Sequence, residues 1–331
     1  MISLVLPAYN ESRSLPGTIA DIRAALAGLP EFAEDFEIIV VDDHSEDDTF
    51  GVVAALADPR ITCLRLSKRS GSHVALRVGL ARARGRVACC LSADGQDDPG
   101  ALPRMIAAWR DGARVVWALR RNREEEPLRV RLFAQVFYRL LRMLNPGLRG
   151  RIDLSRADFY LLDRRVVDAI ARCGERNTSL FGLIVWLGFT QTGVEYDRRP
   201  RRHGQSKWNF RSKMRLALDW IVSFSGVPLR LMTFLGFGIA GLGALYALVV
   251  IVRAIFFGAP VLGWPSIVTL ILILGGLQLV TLGVFGEYLW RIFDETKKRP
   301  LAFIEADSGR DAGQVASSRS MHADFEKNTL N

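Results

Sequence analysis

Two apolar stretches, Val227 to Val252 and Val261 to Tyr288, set the strongest limit on how this chain can fold. Each exceeds the roughly 20 residues a bilayer-spanning helix needs, and few charges interrupt it. Both are expected to be transmembrane helices. Gly236, Gly238, Gly241 and Gly243 in the first suit close helix contact, although glycine is also simply common in such helices. At 49% hydrophobic residues and a mean hydropathy of +0.14, the 331-residue chain is too apolar for an ordinary soluble enzyme.

The net charge is +9 and the pI about 9.8, yet basic residues gather beside apolar ones rather than in a separate tail. That pattern favours an anionic membrane surface and phosphate ligands, with no nucleic acid as partner. Arg211, Lys213 and Arg215 precede the first stretch, and Lys297, Lys298 and Arg299 follow the second. By the positive-inside rule both flanks, and with them both termini, are cytoplasmic, while the link from Phe256 to Trp264 is outside. Arg253 at the outer end can snorkel. Met1 to Pro7 carries no basic region followed by a long apolar one, so no signal peptide is expected. Cys63, Cys89, Cys90 and Cys173 lack CxxC spacing and read as reduced core thiols.

Upstream, short apolar runs alternate with helical patterns. Ile2 to Leu6, Phe36 to Val41, Ile61 to Leu66, Val87 to Leu91 and Ala113 to Ala118 read as strands. The helices between them end at Leu26, start near Asp47, run from Ser72 to Ala83, and run from Pro99 to Trp109. Such alternation predicts a mostly parallel sheet covered by helices on both faces. One edge of that sheet then collects Tyr9, Asn10, Glu11, Asp42, Asp43, Ser45 and Asp94, and ligands of open α/β sheets bind at that edge.

The loop from Ser92 to Pro99 is the centre of the chemistry. Asp94, Gln96, Asp97 and Asp98 offer hard oxygen ligands, and Mg²⁺ or Mn²⁺ bound to a diphosphate needs only one or two carboxylates. The plain alternative is a turn whose acids cap the next helix, with Pro99 in its first turn. Asp42 and Asp43 can accept bonds from a base or ribose, or cap a helix together with Ser45. No GxGxxG or GxxxxGK[ST] occurs, so neither a dinucleotide fingerprint nor a P-loop is supported. The run from Arg198 to Trp208 is the densest cationic segment; it reads as a phosphate clamp or as a solvated charge run. Arg129 to Leu144 forms a basic amphipathic helix, interfacial or packed on the sheet, and Lys213 to Phe224 an interfacial one.

Taken together these motifs resemble the membrane-bound polyprenyl-phosphate glycosyltransferases of family 2, the group of dolichol-phosphate mannose synthase and the bactoprenol glucosyltransferases. Pro7-Ala8-Tyr9-Asn10-Glu11 is similar to the opening loop, and Val41 to Thr49 resembles VDDGSxDxT. Ser92 to Asp97 resembles DADxQ, and Asp158 to Arg164 resembles DFRL. Arg198, Arg201, Gly204, Ser206, Lys207 and Trp208 match RxxRxxGxSKY. Ser92, His44, Arg69-Ser70 and Tyr160 depart from these patterns, and Ser92 cannot supply carboxylate charge to a metal.

The resemblance implies a GT-A, Rossmann-like catalytic domain over residues 1–210 and an interfacial helix over 211–226. A two-helix transmembrane domain over 227–293 and a disordered cytoplasmic tail over 294–331 would follow. It implies transfer of a sugar from a nucleotide sugar to a polyprenyl phosphate at the inner membrane, with Mg²⁺ or Mn²⁺ assisting. Pro7, Tyr9, Asn10, Glu11, Asp42, Asp43, Ser92 and Ala93 would bind nucleotide, and Asp94 and Gln96 the metal. Arg120, Arg123, Arg198, Arg201, Ser206 and Lys207 would bind phosphate. Asp94 and Asp158 would be catalytic. Membrane lipids and a second copy of the chain are the other expected partners. A catalytically weakened, membrane-tethered nucleotide-sugar binding protein, suggested by Ser92, and a processive polysaccharide synthase, whose QxxRW motif is absent, are the competing readings.

Overall fold

The computed structural model describes residues 1–121, 156–176, 178–200, 227–257 and 263–309. They divide into two units, one of Met1–Ser212 with Pro300–Asn331, the other of Lys213–Arg299.

The first unit is built on one sheet. Its strands are β1 (Ile2–Ala8), β2 (Phe36–Asp42), β3 (Ile61–Leu66), β4 (Val87–Cys90), β5 (Val115–Arg120), β6 (Ala157–Asp163), β7 (Gln191–Tyr196) and β8 (Ile304–Asp307), in the order β7-β5-β6-β4-β1-β2-β3-β8. β1 is buried at almost every position, as a central strand covered on both faces must be. Helices α1 (Leu15–Ala27), α2 (Thr49–Ala54) and α4 (Leu102–Arg110) pack with Leu6, Val40, Cys89 and Phe159. On the other side α3 (Ser72–Arg82), α5 (Arg164–Arg172) and α6 (Leu180–Trp186) pack with Val5, Val41, Trp117 and Tyr160. α3 approaches the sheet so closely that a Cβ on Gly79 would lie 2.3 Å from Val5 Cγ1. Cys63, Cys89 and Cys90 are buried free thiols, and burial pushes the Cys90 thiol up to about 12.

One expectation is corrected here. The sheet is mixed rather than mostly parallel. β1 pairs in parallel with β2 and β4, but β6 runs antiparallel to both β4 and β5, and β8 antiparallel to β3. Part of the segment after the second apolar stretch has regular structure. Residues 294–296 complete a helix, and Ile304–Asp307 becomes a strand because β3 offers an open edge whose backbone groups need partners. Its composition alone carries no strand signal.

The second unit holds α7 (Val227–Phe257) and α8 (Trp264–Thr296). Phe234, Phe237, Leu242, Ile255, Leu279 and Leu282 are exposed on them, an apolar surface of the kind that marks a membrane or protein contact. Among the described residues one stretch, Ile273–Thr296, is long and apolar enough to cross a membrane, and Met232–Tyr246 is a shorter apolar run. The fold therefore supplies one candidate span where two were expected.

Candidate active site

Parallel pairing of β1 with β2 sets Ala8 opposite Asp42, so the loops that follow leave the sheet side by side. They are stitched together by polar atoms. The Asn10 amide donates to Ser45 Oγ at 2.9 Å, and the Glu46 amide to Asn10 Oδ1 at 2.8 Å. The Glu11 amide donates to Thr49 Oγ1 at 3.0 Å, the Ser12 amide to Asp47 Oδ2 at 3.1 Å, and the Tyr9 hydroxyl to Glu46 at 3.4 Å. Asn10 (φ 54°) and His44 (φ 60°) both adopt the left-handed region. His44 stands where the resembled motif has glycine, and that conformation explains the glycine.

The two neighbouring acids have separate tasks. Asp42 is fully buried, accepting from the Ser45 amide at 2.9 Å and pairing with Arg65 at 3.2 Å. Its carboxylate is thus tied to the loop's own Ser45 amide and to Arg65. Asp43 accepts from the Ser70 amide at 2.6 Å and the Gly71 amide at 2.8 Å, drawing the loop after β3 toward the loop after β2. Burial pushes the Asp43 carboxyl up, while those two amides pull it down. The Arg69 guanidinium lies 4.0 Å from the centre of the Tyr9 ring, closing the same side. Pro7 is the half-buried penultimate residue of β1, opposite Val41.

The acidic loop leaves β4 on the same edge. Ser92 Oγ donates to Asp94 Oδ1 at 2.8 Å, and the Gln96 amide donates to the same oxygen at 3.1 Å. Gly95 between them has φ 76°, a turn that favours glycine. Ala93 is buried, its carbonyl accepting from Thr18 Oγ1 at 3.1 Å. Two of the four expected oxygen ligands are spent elsewhere. Asp97 is 5% exposed and accepts from the Ser92 amide at 2.7 Å, and Asp98 caps the Pro99–Ala101 turn through the Gly100 amide at 2.9 Å.

Because β6 is antiparallel to β4, with Tyr160 opposite Cys90, its first residues meet the end of β4. That brings Asp158 to the acidic loop. Arg120 Nε at the end of β5 lies 2.9 Å from Asp158 Oδ2, and the Tyr196 hydroxyl at the end of β7 donates to the same oxygen. The Tyr196 hydroxyl is also 3.5 Å from Asp97 Oδ1. Arg120 thus serves a carboxylate, whatever it does for a phosphate. Arg198 donates to Gln96 Oε1 at 2.8 Å, and Arg199 reaches Asp21 at 2.6 Å and Asp98 at 2.7 Å. Arg123, Arg201, Ser206 and Lys207, with the amphipathic stretches 129–144 and 211–226, lie outside the described residues. Tyr196 and Arg65 join the site without a mark in the sequence reading, and Arg199, part of the cationic run, pairs with carboxylates. Tyr196 closes an alternating run just before the arginines, which is its only sequence signal.

Burial pushes the Asp97 carboxyl up to about 6, with the Asp158 charge adding to it and the Ser92 amide opposing. A carboxyl raised in the folded state binds its proton there more tightly than in the unfolded chain. Its contribution to stability is therefore full below the unfolded value near about 4 and is lost as pH rises through about 6. Asp97→Asn keeps an acceptor for the Ser92 amide and carries no charge. It is expected to stabilise the fold at about pH 8 by on the order of 2 kcal/mol and to lose that advantage near about pH 4. Melting curves at the two pH values check this; a shift of equal size at both contradicts it.

Among the described residues no group of three His, Cys, Asp or Glu side chains gathers to hold a cation. The oxygen donors that are present fit a hard cation whose other ligands are phosphate oxygens and water: the Asp94 carboxylate, which accepts from the Gln96 backbone N–H, and the Gln96 side-chain oxygen, which accepts from Arg198 and has a second lone pair.

Residues 3–163 match the family model described as glycosyl transferase family 2. Sheet, acidic loop and match together define the class: this is a glycosyltransferase. An uncharacterized glycosyltransferase of Synechocystis sp. is 37% identical over 305 residues, covering 92% of this chain and 94% of that one. The bactoprenol glucosyl transferase of Shigella phage SfX is 37% identical over 311 residues, covering 92% and 99%. The chain belongs to glycosyl transferase family 2. Among solved structures, glucosyl-3-phosphoglycerate synthase from Mycobacterium tuberculosis is 20% identical, with a TM-score of 0.48 over 67% of this chain and 77% of that one.

Proposed function

We propose that this glycosyltransferase moves a hexosyl group from a nucleotide sugar, with a UDP-sugar favoured, to the phosphate of a polyprenyl lipid at the cytoplasmic face of the membrane. The observation that carries the reading is the meeting of Asp158, Arg120 and Tyr196 with the Asp94 loop at one sheet edge. Relatives named bactoprenol glucosyl transferase, similar along nearly their whole length, support the lipid acceptor. The exposed apolar surface of α7 and α8 and the candidate span Ile273–Thr296 support membrane residence; two spans, cytoplasmic termini and self-association through the spans rest on the length and flanking charge of the two apolar stretches in the sequence.

In a single in-line displacement, an acceptor phosphate oxygen bonds to the anomeric carbon as the bond to the donor diphosphate breaks. The expected outcome is inversion, through an oxocarbenium-like state. A phosphomonoester has its second pKa near about 6, so the nucleophile is already ionised at neutral pH and needs no strong base. Asp158, held by Arg120 and Tyr196, accordingly positions the acceptor or sugar. Asp94 and Gln96 would hold Mg²⁺ or Mn²⁺, which when bound supplies Lewis-acid stabilisation of the departing diphosphate. Tyr9, Asn10, Glu11 and Asp43 line the nucleotide side with Ser92 and Ala93, and Asp42 acts by holding their loop. Arg198, Arg201, Ser206 and Lys207 orient phosphate, bringing together two anions that otherwise repel.

The rival reading, a binding protein with weakened catalysis, rests on Ser92. Against it stands the 2.8 Å bond by which Ser92 orients Asp94, work a neutral hydroxyl can do. Turnover of a panel of nucleotide sugars with undecaprenyl phosphate, with and without Mn²⁺, tests the proposal; donor binding without metal and without turnover selects the rival. Arg201→Ala is expected to raise the KM for lipid phosphate by about tenfold or more while leaving donor affinity within about twofold, as loss of a charged phosphate contact should. Steady-state kinetics in each substrate checks it, and equal losses contradict it.

A further inference from the structure

The chain that follows α8 returns to the sheet of the first unit as β8, and it brings a carboxylate to the loop after β2. Arg65 is the hub of that contact. Its Nη1 lies 3.2 Å from the buried Asp42, its Nη2 donates to the Ser45 carbonyl at 3.1 Å, and its Nε lies 3.4 Å from Glu305 Oε2. Asp42 in turn accepts from the Ser45 amide at 2.9 Å. Both polar ends of the Ser45 backbone are thus held by one arginine and its acid partner. His44, in the left-handed region at φ 60°, has Nδ1 3.1 Å from the Leu66 carbonyl and 3.7 Å from Glu305.

The register explains how Glu305 gets there. Arg65 pairs with Ala306 and Leu66 with Ile304, so Glu305 is the extra residue of a bulge. Bulges re-aim side chains, often beside active sites.

We infer that Glu305 is a positioning residue for the donor: through Arg65 and His44 it sets the conformation of the loop, residues 43–49, that receives the nucleotide. The inference rests on the nucleotide-sugar reading given above. β8 has other anchors. The Ser67 amide donates to the Phe303 carbonyl at 2.9 Å, the Cys63 amide to Ser308 Oγ at 2.8 Å, and Arg82 pairs with Asp307. Removing the Glu305 charge leaves all three in place. Its side chain is half exposed, so the pair contributes little to stability, and its effect falls on loop geometry.

The test uses the full chain in detergent, with UDP and Mn²⁺ as probe. Glu305→Gln is expected to weaken UDP binding about threefold and Glu305→Lys about tenfold, since lysine sets like charge beside Arg65. Glu305→Asp should stay near the parent, and kcat at saturating donor should change by less than about twofold in all three. Amide hydrogen exchange at Ser45 and Glu46 should quicken in Glu305→Lys, and in Glu305→Gln should the lysine variant not fold. Unchanged UDP affinity in a parent that binds UDP, or unchanged exchange at Ser45, overturns the inference. A parent that binds no UDP counts against the donor reading, and exchange at Ser45 then decides the role of Glu305.

Discussion

Asp94→Asn is expected to lower kcat by about 10²–10³ while the fold survives, the largest loss for any single change in the acidic loop. The Asp94 side chain takes two bonds on Oδ1, from Ser92 Oγ and the Gln96 amide, and both geometries tolerate an amide oxygen. What the substitution removes is charge. As the glycosidic bond breaks, negative charge builds on the leaving diphosphate, and the carboxylate is the anionic group of this loop best suited to hold a neutralising cation. Asp97 and Asp98 cannot replace it, because one is buried under Ser92 and the other is committed to Gly100 and Arg199. Raising Mn²⁺ should recover part of the loss. Single-turnover measurements with saturating donor check the size of the effect; an Asp94→Asn chain within about tenfold of the parent contradicts the assignment.

Asp158→Ala is expected to cost about 10² in kcat/KM, for a different reason. Asp158 ties the ends of three strands, and its loss leaves Arg120 without the carboxylate 2.9 Å away and Tyr196 without the nearer of its two acceptors. Asp158→Asn separates positioning from proton transfer. It keeps the acceptor for Tyr196, and since the acceptor phosphate is already ionised, its pH-rate profile should keep the shape of the parent's at reduced height. Loss of a limb of that profile would show that Asp158 takes a proton.

The sequence carried the first five strands clearly. Phe36 to Val41 and Ile61 to Leu66 were expected and are observed as Phe36–Asp42 and Ile61–Leu66, because fully buried β-branched runs bounded by polar loops have few other solutions. The helices of that half follow suit: Ser72 to Ala83 becomes Ser72–Arg82. Direction was harder to read. Nothing in Asp158-Phe159-Tyr160-Leu161-Leu162 says that β6 runs against its neighbours, since pairing direction depends on the path of the connecting chain. β8 was illegible for a related reason, as Ile304–Asp307 has little intrinsic preference and is made a strand by the open edge of β3, with Cys63 and Ser308 in contact 245 positions apart.

The site shows the same division. Asp94 and Gln96 stand out in the sequence because acids and amides at a strand end contrast with the apolar run before them, whereas Asp158 is visible only through the resemblance to the DFRL motif. Which carboxylates face outward was not. Asp42 and Asp43 look alike in sequence, yet Arg65, an ordinary strand residue from that vantage, draws one inward while the Ser70 and Gly71 amides take the other. Long-range partners decided the roles of these acids.

One measurement bears most directly on the whole: transfer of the labelled sugar from each member of a panel of UDP-sugars to undecaprenyl phosphate by the full chain in lipid nanodiscs. Label should move to the lipid-extractable fraction only when undecaprenyl phosphate is present, and Asp94→Asn should lower the initial rate by about 10²–10³. Release of UDP with no labelled lipid, or equal transfer by parent and Asp94→Asn, would contradict the account.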